Sequence, residues 1–303
     1  MATAHTPDRR NRHNRSRLLL YVPMALLALF FALPIEFLVV SSFKSDGQIF
    51  HDLKGGLTAF LPTGRLSLDN YRGVLDRVPV GRFFLNTAFI ALCTVVIGLV
   101  VNSMCGFALA RMRWRGRGAV LALIVATLIV PFDTIAVPLL FEVTKLPAVQ
   151  FNGWQYYPTL TTGWLDTYYV QILPFVANSF SVFLFRQYFT SIPEELDEAA
   201  RVDGAGWFTI YRRIIVPLSG PVFATAAILT FLPAWNQYLW PLMATQDESL
   251  RPMNVGMDYF FQLKVAWGQV MAYASVIILP VVVVFIAFQR AFVSSIAATG
   301  LKS

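Results

Sequence analysis

Long apolar stretches alternate with polar segments along the 303-residue chain. A transmembrane helix needs about 20 mostly apolar residues, because the bilayer core is about 30 Å thick and a helix rises about 1.5 Å per residue. Six stretches reach roughly that length: residues 18–40, 83–110, 119–141, 169–189, 221–243 and 271–293. The pattern predicts an all-α integral membrane protein with six transmembrane helices.

The composition supports this class, since 56% of the residues are hydrophobic and 14% are charged. Soluble domains carry about 25% charged residues. The polar, arginine-rich residues 1–17 lack the apolar content for a core, so we expect a disordered tail. Residues 18–303 are expected to form one membrane domain. No A-x-A cleavage site follows the first stretch, which favours an uncleaved anchor over a signal peptide.

The distribution of Lys and Arg predicts the orientation, because these residues gather in cytoplasmic loops. With both termini in the cytoplasm, fifteen of the 24 Lys and Arg residues fall on the cytoplasmic side. The segment 191–221 is then cytoplasmic too. Topology and contact with anionic membrane lipid account for the net charge of +7, so no nucleic-acid partner is expected.

The segment 191–221 is unusually polar for a loop between two apolar stretches. Ser191 with Glu194 predicts a capping box, followed by a short helix whose apolar face carries Leu196. Its acidic residues, including Asp197, are expected on the opposite, exposed face. Gly204 permits a sharp turn before a second amphipathic helix that ends ahead of a proline. Such a loop indicates either a docking site for a partner or a solvated connection.

The sequence from Glu198 to Ala205, EAARVDGA, and the later IIVPL closely resemble the EAA loop of bacterial ABC importer permeases. In that family the loop contains the coupling helix, which docks on a cytoplasmic ATPase. The resemblance implies the type I ABC importer permease fold in a bacterial inner membrane. The residues to which it assigns ATPase coupling are Glu195, Glu198, Ala199, Ala200, Asp203, Gly204 and Ala205.

Leu109–Gly116 resembles the family's cytoplasmic turn after the second span, and Pro131–Leu139 resembles its proline-broken third span. Trp235–Leu242, Asn70–Tyr71 and Asn86–Thr87 resemble the carbohydrate-uptake branch, which includes the small permease of maltose importers. The resemblance implies four kinds of partner: a second homologous permease, an ATPase dimer, an extracytoplasmic solute-binding protein and membrane lipid. Two departures are the long segment 142–168, rich in aromatics such as Trp154 and Trp164, and an atypical C-terminus.

Catalytic motifs are absent from the sequence. No GxxxxGK[ST] phosphate loop occurs, so we expect ATP and Mg²⁺ to bind the partner ATPase and this chain to hold no cofactor. No H-E-x-x-H or G-x-S-x-G motif occurs either, which weakens the alternative of a membrane enzyme. The histidines are scattered and predict no metal site. Cys93 and Cys105 are about 18 Å apart along one predicted helix and cannot pair.

The expected substrate path includes Asp133, a costly charge within an apolar stretch that is expected to face a cavity or a partner. It also includes Trp235, Asn236, Gln237 and Tyr238, whose amides and aromatic faces suit a hydroxyl-rich solute. Packing between helices is the alternative role for these four. The sequence therefore predicts a permease subunit forming half of a path for a sugar or sugar-derived solute. A glycerol-3-phosphate or glycerophosphodiester importer is the alternative within the family, and a secondary transporter is the alternative class.

Overall fold

The computed structural model describes residues 9–150, 159–262 and 265–300. Its α-helices, numbered α1 to α15 in chain order, are Arg9–Ser41, Asp46–Lys54, Asp69–Arg77, Val80–Arg111, Arg117–Ala126, Phe132–Val143, Tyr168–Val176, Ser179–Thr190, Glu195–Val202, Trp207–Ile210, Val216–Leu218, Gly220–Trp235, Leu239–Ala244, Met253–Gly256 and Trp267–Gly300. Short 3₁₀ helices cover Gly56–Phe60, Thr127–Ile129, Glu248–Leu250 and Met257–Phe260, and a π-helix covers Tyr211–Ile215. The protein is mostly helical.

Among the described residues, four helical segments are long and apolar enough to span a membrane: Tyr21–Ser41, Val80–Arg111, Tyr168–Thr190 and Trp267–Gln289. Two bent pairs raise the number to six if each pair is one span. They are Arg117–Ile129 with Phe132–Val143, bent by 105°, and Trp207–Leu218 with Gly220–Trp235, bent by 83°. The first bend contains Pro131, which has no N–H to continue the helical ladder.

The first helix reaches into the segment for which the sequence predicted disorder. Helix α1 begins at Arg9 and so includes residues 9–17 of the expected tail. These residues extend the ladder of hydrogen bonds already formed by the apolar stretch, and arginine has good helix propensity.

The chain divides into two compact units. In the unit formed by residues 1–78 and 259–276, Lys44 is 1% exposed and its Nζ donates to Asp52 Oδ2 at 2.8 Å and to the Thr58 carbonyl at 3.2 Å. Asn70 Nδ2 donates to the carbonyls of Ser42 and Lys44, both at 2.8 Å. These bonds fix the segment that follows α1.

In the unit formed by residues 79–258 and 277–303, α4 packs along α7, α8 and α12. Small residues permit this approach: a Cβ added at Gly106 would lie 2.6 Å from Phe185 Cβ. Three apolar clusters form the core of this unit. Their buried members are, in turn, Phe107, Phe185, Phe189, Ile210, Ile215, Val222 and Ala226; Val143, Val170, Trp240 and Ala244; and Ile90, Ile172 and Val176.

A two-stranded antiparallel sheet lies between α6 and α7, where the sequence predicted no strand. Strands β1 (Pro147–Gln150) and β2 (Thr159–Thr162) pair with Pro147 opposite Thr162. Valine and three threonines within these eight positions favour extended backbone. Of the aromatics in segment 142–168, Trp154 lies outside the described residues, and Trp164 Nε1 donates to the Pro147 carbonyl at 2.8 Å.

Candidate functional site

Helix α9 begins without the expected capping box. Ser191 ends α8, and its hydroxyl donates to the Tyr188 carbonyl at 2.7 Å instead of accepting from the next helix. The Glu194 carbonyl accepts the first N–H groups of α9, from Asp197 at 3.0 Å and from Glu198 at 3.1 Å. The capping prediction was wrong because Ser191 directly follows the last turn of α8. Its hydroxyl there lies within hydrogen-bonding reach of the backbone carbonyls of that turn.

The end of α9 is a Schellman turn, as the glycine in the sequence suggested. Gly204 N–H donates to the Arg201 carbonyl at 3.0 Å, and Ala205 N–H donates to the Ala200 carbonyl at 2.9 Å. Gly204 has φ of +80°, in the left-handed region that side chains disfavour. The glycine therefore sets the direction in which the chain leaves α9.

Most of the residues assigned to coupling are on the surface of the chain. The five exposed ones are Glu195, Glu198, Ala199, Asp203 and Gly204. Ala200 and Ala205 are half-buried and pack against the cluster that contains Phe107. The surface of α9 thus combines two carboxylates with a small side chain, which leaves room for the close approach of another protein.

The buried face of α9 differs from the expected one. Asp197, predicted to be exposed, is 7% exposed, whereas Leu196, predicted on the apolar face, is 40% exposed. Val202 is 88% exposed. Helix α9 turns the Asp197 side chain inward because a buried cation lies there. The local sequence pattern does not reveal that cation.

That cation is Arg111, the last residue of α4, whose pairing with α9 no local sequence signal predicts. Its Nη1 lies 3.5 Å from Asp197 Oδ2, and its Nη2 donates to the Ile192 carbonyl at 2.7 Å. The side chain of Arg111 is 2% exposed and that of Asp197 is 10% exposed. Burial raises the pKa of the Asp197 carboxyl above its ordinary value, and the Arg111 guanidinium opposes that shift. A recess of about 250 Å³ beside this pair is lined by Arg111, Arg113, Glu194, Asp197, Glu198, Arg201 and Trp207.

The second half of the loop also contacts α4. The Tyr211 and Ser103 hydroxyls are 2.7 Å apart, and the Phe107 ring lies 5.3 Å from the Tyr211 ring and 6.1 Å from the Trp207 ring. The Arg201 guanidinium stacks 3.8 Å above the Trp207 ring, which joins α9 to α10. Tyr211 begins a π-helical turn, a distortion that is frequent at functional sites.

The Trp235–Leu242 segment forms a break between two helices. Helix α12 ends at Trp235 and α13 begins at Leu239. Trp235 is 2% exposed, its Nε1 donates to the Ile277 carbonyl at 3.0 Å, and its ring stacks on Phe231. The structure therefore places the Trp235 side chain in the helix packing of this unit.

The other three residues of this break are more accessible. Asn236 is exposed, and its Nδ2 donates to the Leu232 carbonyl at 2.9 Å. Tyr238 is 40% exposed and donates to the Asp258 carboxylate at 2.9 Å. Gln237 is half-buried in a crevice that is also lined by Gln171, whose buried Oε1 has no hydrogen-bond partner among the residues that the structure describes.

Asp133 lies in the first turn of α6 and is exposed on this chain. Its neighbour Phe132 anchors the turn through ring contacts at 5.8 Å with Trp240 and 5.2 Å with Phe175. In the part of the chain that the structure describes, no hydrogen bond or ion pair joins Asp133 to residues 235–238. The residues expected along the substrate path therefore fall in two places: Asp133 lies on α6, and residues 235–238 lie at the break between α12 and α13.

The described segments contain no cluster of three or more His, Cys, Asp or Glu residues that is suited to a metal ion. Cys93 and Cys105 are both free thiols, half-buried on α4.

Comparison with known proteins identifies the family. Residues 102–298 match the family described as binding-protein-dependent transport system inner membrane component, and the chain belongs to it. The arabinooligosaccharides transport system permease protein AraQ of Bacillus subtilis is 30% identical over 94% of this chain and 96% of its own length. The sn-glycerol-3-phosphate transport system permease protein UgpE of Brucella abortus is 31% identical over 94% of this chain and 97% of its own length.

The fold has a counterpart among solved structures. A chain of a bacterial ABC transporter that imports alginate superposes with a TM-score of 0.72 at 24% identity, covering 94% of this chain and 99% of that one. The predicted type I permease fold is confirmed, as is membership of the ABC importer permeases. This chain is an inner membrane component of a transport system, not a catalytic subunit.

Proposed function

We propose that this chain forms half of the translocation path of an ATP-driven importer for a sugar or sugar-derived solute. A second, homologous permease forms the other half, two ATPase subunits supply the energy, and an extracytoplasmic binding protein delivers the solute. ATP and Mg²⁺ bind the ATPase, and this chain binds no cofactor. The relatives named for oligosaccharides and the family's binding-protein-dependent transport support this assignment.

The observation that carries the proposal is the surface of α9. Glu195 and Glu198 are exposed, Ala199 leaves space between them, and the Gly204 turn fixes the end of the helix. An exposed helix with acidic and small residues suits docking into a basic cleft on a partner. We assign to this surface the coupling role of the EAA loop.

The orientation follows from the Lys and Arg distribution. Both termini and the loop 191–221 lie in the cytoplasm, where the ATPase finds its nucleotide. Fifteen of the 24 Lys and Arg residues fall on that side.

For the substrate path we assign Asp133, Asn236, Gln237 and Tyr238 to surfaces that a solute or the second permease contacts. The exposure of Asp133, Asn236 and Tyr238 supports this role. Trp235 supports the path indirectly, because its packing fixes the break on which the other three residues sit.

A glycerol-3-phosphate importer is the second candidate. The UgpE proteins of Brucella abortus and Rhizobium meliloti are 31% and 33% identical to this chain. A thermal-shift titration of the solute-binding protein encoded with the transporter separates the two candidates. Stabilisation by arabinotriose or maltotriose supports the sugar assignment, and stabilisation by glycerol 3-phosphate alone overturns it.

The coupling assignment is tested by co-purification of the ATPase with affinity-tagged permease from detergent-solubilised membranes. Glu198→Arg should abolish the association, because the charge on the docking surface is reversed. The matched control is Glu142→Arg, which reverses a charge that is 69% exposed on α6. Retention of the ATPase by Glu198→Arg, or equal loss in the control, contradicts the assignment of α9.

A further inference from the structure

Three residues of α4 contact the loop 191–221, and they are spaced four apart. Ser103 meets Tyr211, Phe107 meets Trp207 and Tyr211, and Arg111 meets α9. Residues four apart lie on one face of a helix. A single stripe at the end of α4 therefore holds both halves of the loop.

Arg111 is the member of this stripe that reaches furthest into the loop. Its Nη2 donates to the Ile192 carbonyl, just ahead of α9, and its Nη1 forms an ion pair with the Asp197 carboxylate, within α9, at 3.5 Å and without a hydrogen bond. The planar, forked guanidinium reaches both groups at once, whereas a lysine ammonium is a single point charge. The end of α4 and the start of α9 are thereby linked through one side chain.

Burial makes this link costly to break. Removing one partner of a buried ion pair leaves an unpaired charge, which is strongly unfavourable, whereas removing both charges is often neutral. The neighbouring pair of Arg113 and Glu194 has a similar separation of 3.4 Å, but its side chains are 84% and 64% exposed. Exposed pairs of this kind contribute little.

We propose that Arg111 is a positioning residue that locks α9 to α4, so that the two helices move as one body when the ATPase moves α9. This inference rests on the proposed coupling function, and it identifies α4 as the span that moves with α9. The Arg111–Asp197 pair carries the link through α9, and the Tyr211–Ser103 contact carries it through the second half of the loop.

The test is a distance measurement by pulsed electron paramagnetic resonance in the assembled permease–ATPase complex in nanodiscs. Spin labels replace Val202 at the end of α9, which is 88% exposed, and Val101 on α4, which is 42% exposed. Distances are recorded without nucleotide and after trapping with ATP and vanadate. With Arg111 present, the distance should be the same in both conditions.

In Arg111→Gln and in Asp197→Asn the distance should differ between the two conditions by about 1–2 Å, the size of helix shifts at moving interfaces. Arg113→Gln is the matched control and should retain one distance. A purely structural role for Arg111 would lower the melting temperature without making the distance depend on nucleotide.

Arg111→Lys keeps the test decisive if the two neutral variants fail to assemble. It retains the buried positive charge but lacks the guanidinium fork that reaches both the Ile192 carbonyl and Asp197, and should also make the distance depend on nucleotide. The proposal is overturned if the original chain itself shows two distances, or if every assembled variant keeps one distance. Loss of the ATPase from the unsubstituted complex would instead refute the proposed function.

Discussion

Replacing Gly204 strains the turn after α9 without creating a collision with any other group. Its φ is +80°, and no heavy atom lies within 4 Å of the position that a Cβ would occupy. The penalty for a side chain is therefore one of backbone conformation, about 1–2 kcal/mol for a residue with L chirality in the left-handed region. Asparagine tolerates that region better than alanine, and a β-branched residue tolerates it worst.

This penalty predicts a graded loss of ATPase binding. A cost of 1–2 kcal/mol lowers the ratio of ordered to disordered turn by a factor of about 5–30. Because only the ordered turn presents the docking surface, the apparent Kd should rise as the ordered fraction falls, by at most about that factor. We expect the Kd to increase in the order Gly204→Asn, Gly204→Ala, Gly204→Val when purified ATPase is titrated onto the permease in nanodiscs.

Gly206→Ala is the matched control, since Gly206 has φ of −75° and also has open space around its Cβ position. It should bind the ATPase like the original chain. An effect of Gly206→Ala as large as that of Gly204→Val, or no ranking among the Gly204 variants, would refute the argument from backbone conformation.

Three further predictions concern other parts of the chain. Asn102→Leu should destabilise the protein by about 1–3 kcal/mol in denaturant titrations, because the buried Val176 carbonyl loses its hydrogen-bond partner, and an unchanged midpoint would contradict this. Asp52→Asn should lower the melting temperature far more than the exposed Asp69→Asn, because it leaves a buried lysine unpaired. A hydrogen bond from that lysine lowers the pKa of Asp52 below its usual 3.8, so its contribution should be complete at neutral pH and lost as the pH falls below that value. Single cysteines on a Cys-less background should react with maleimide at Asn236 and remain protected at Trp235, and equal labelling would contradict the packing seen here.

The coupling loop could be predicted from the sequence because its signals are local. The left-handed turn at Gly204 needs a glycine, and the acidic positions on α9 are spaced along a short helix. The breaks at Pro131 and after Trp235 also have local causes or local motifs. Features of this kind depend on a few neighbouring residues.

The link between Arg111 and Asp197 could not be predicted in the same way. The two residues are 86 positions apart, and each looks like an ordinary surface charge in its own segment. The amphipathic pattern predicted that Leu196 faces inward. Leaving the buried Arg111 guanidinium without a carboxylate costs more free energy than exposing one leucine, so Asp197 faces inward instead. The burial of Trp235 likewise depends on the Ile277 carbonyl, which comes from a distant helix.

Breaks in the spans leave backbone groups that need partners within the protein. Backbone groups freed at a break have no water to bind in the bilayer core, so protein groups must satisfy them. Asn102 on α4 does so between α7 and α8: its Nδ2 donates to the Val176 carbonyl at 2.9 Å, and its Oδ1 accepts from Asn178 N–H at 2.9 Å. Asn254 serves the break after α12 by donating to the Trp235 carbonyl at 2.8 Å. Side-chain amides can exchange partners at lower cost than a helical ladder can be broken. Helix α4, which carries Asn102 in its middle and Arg111 at its end, therefore contacts both the break between α7 and α8 and the loop that we assign to the ATPase.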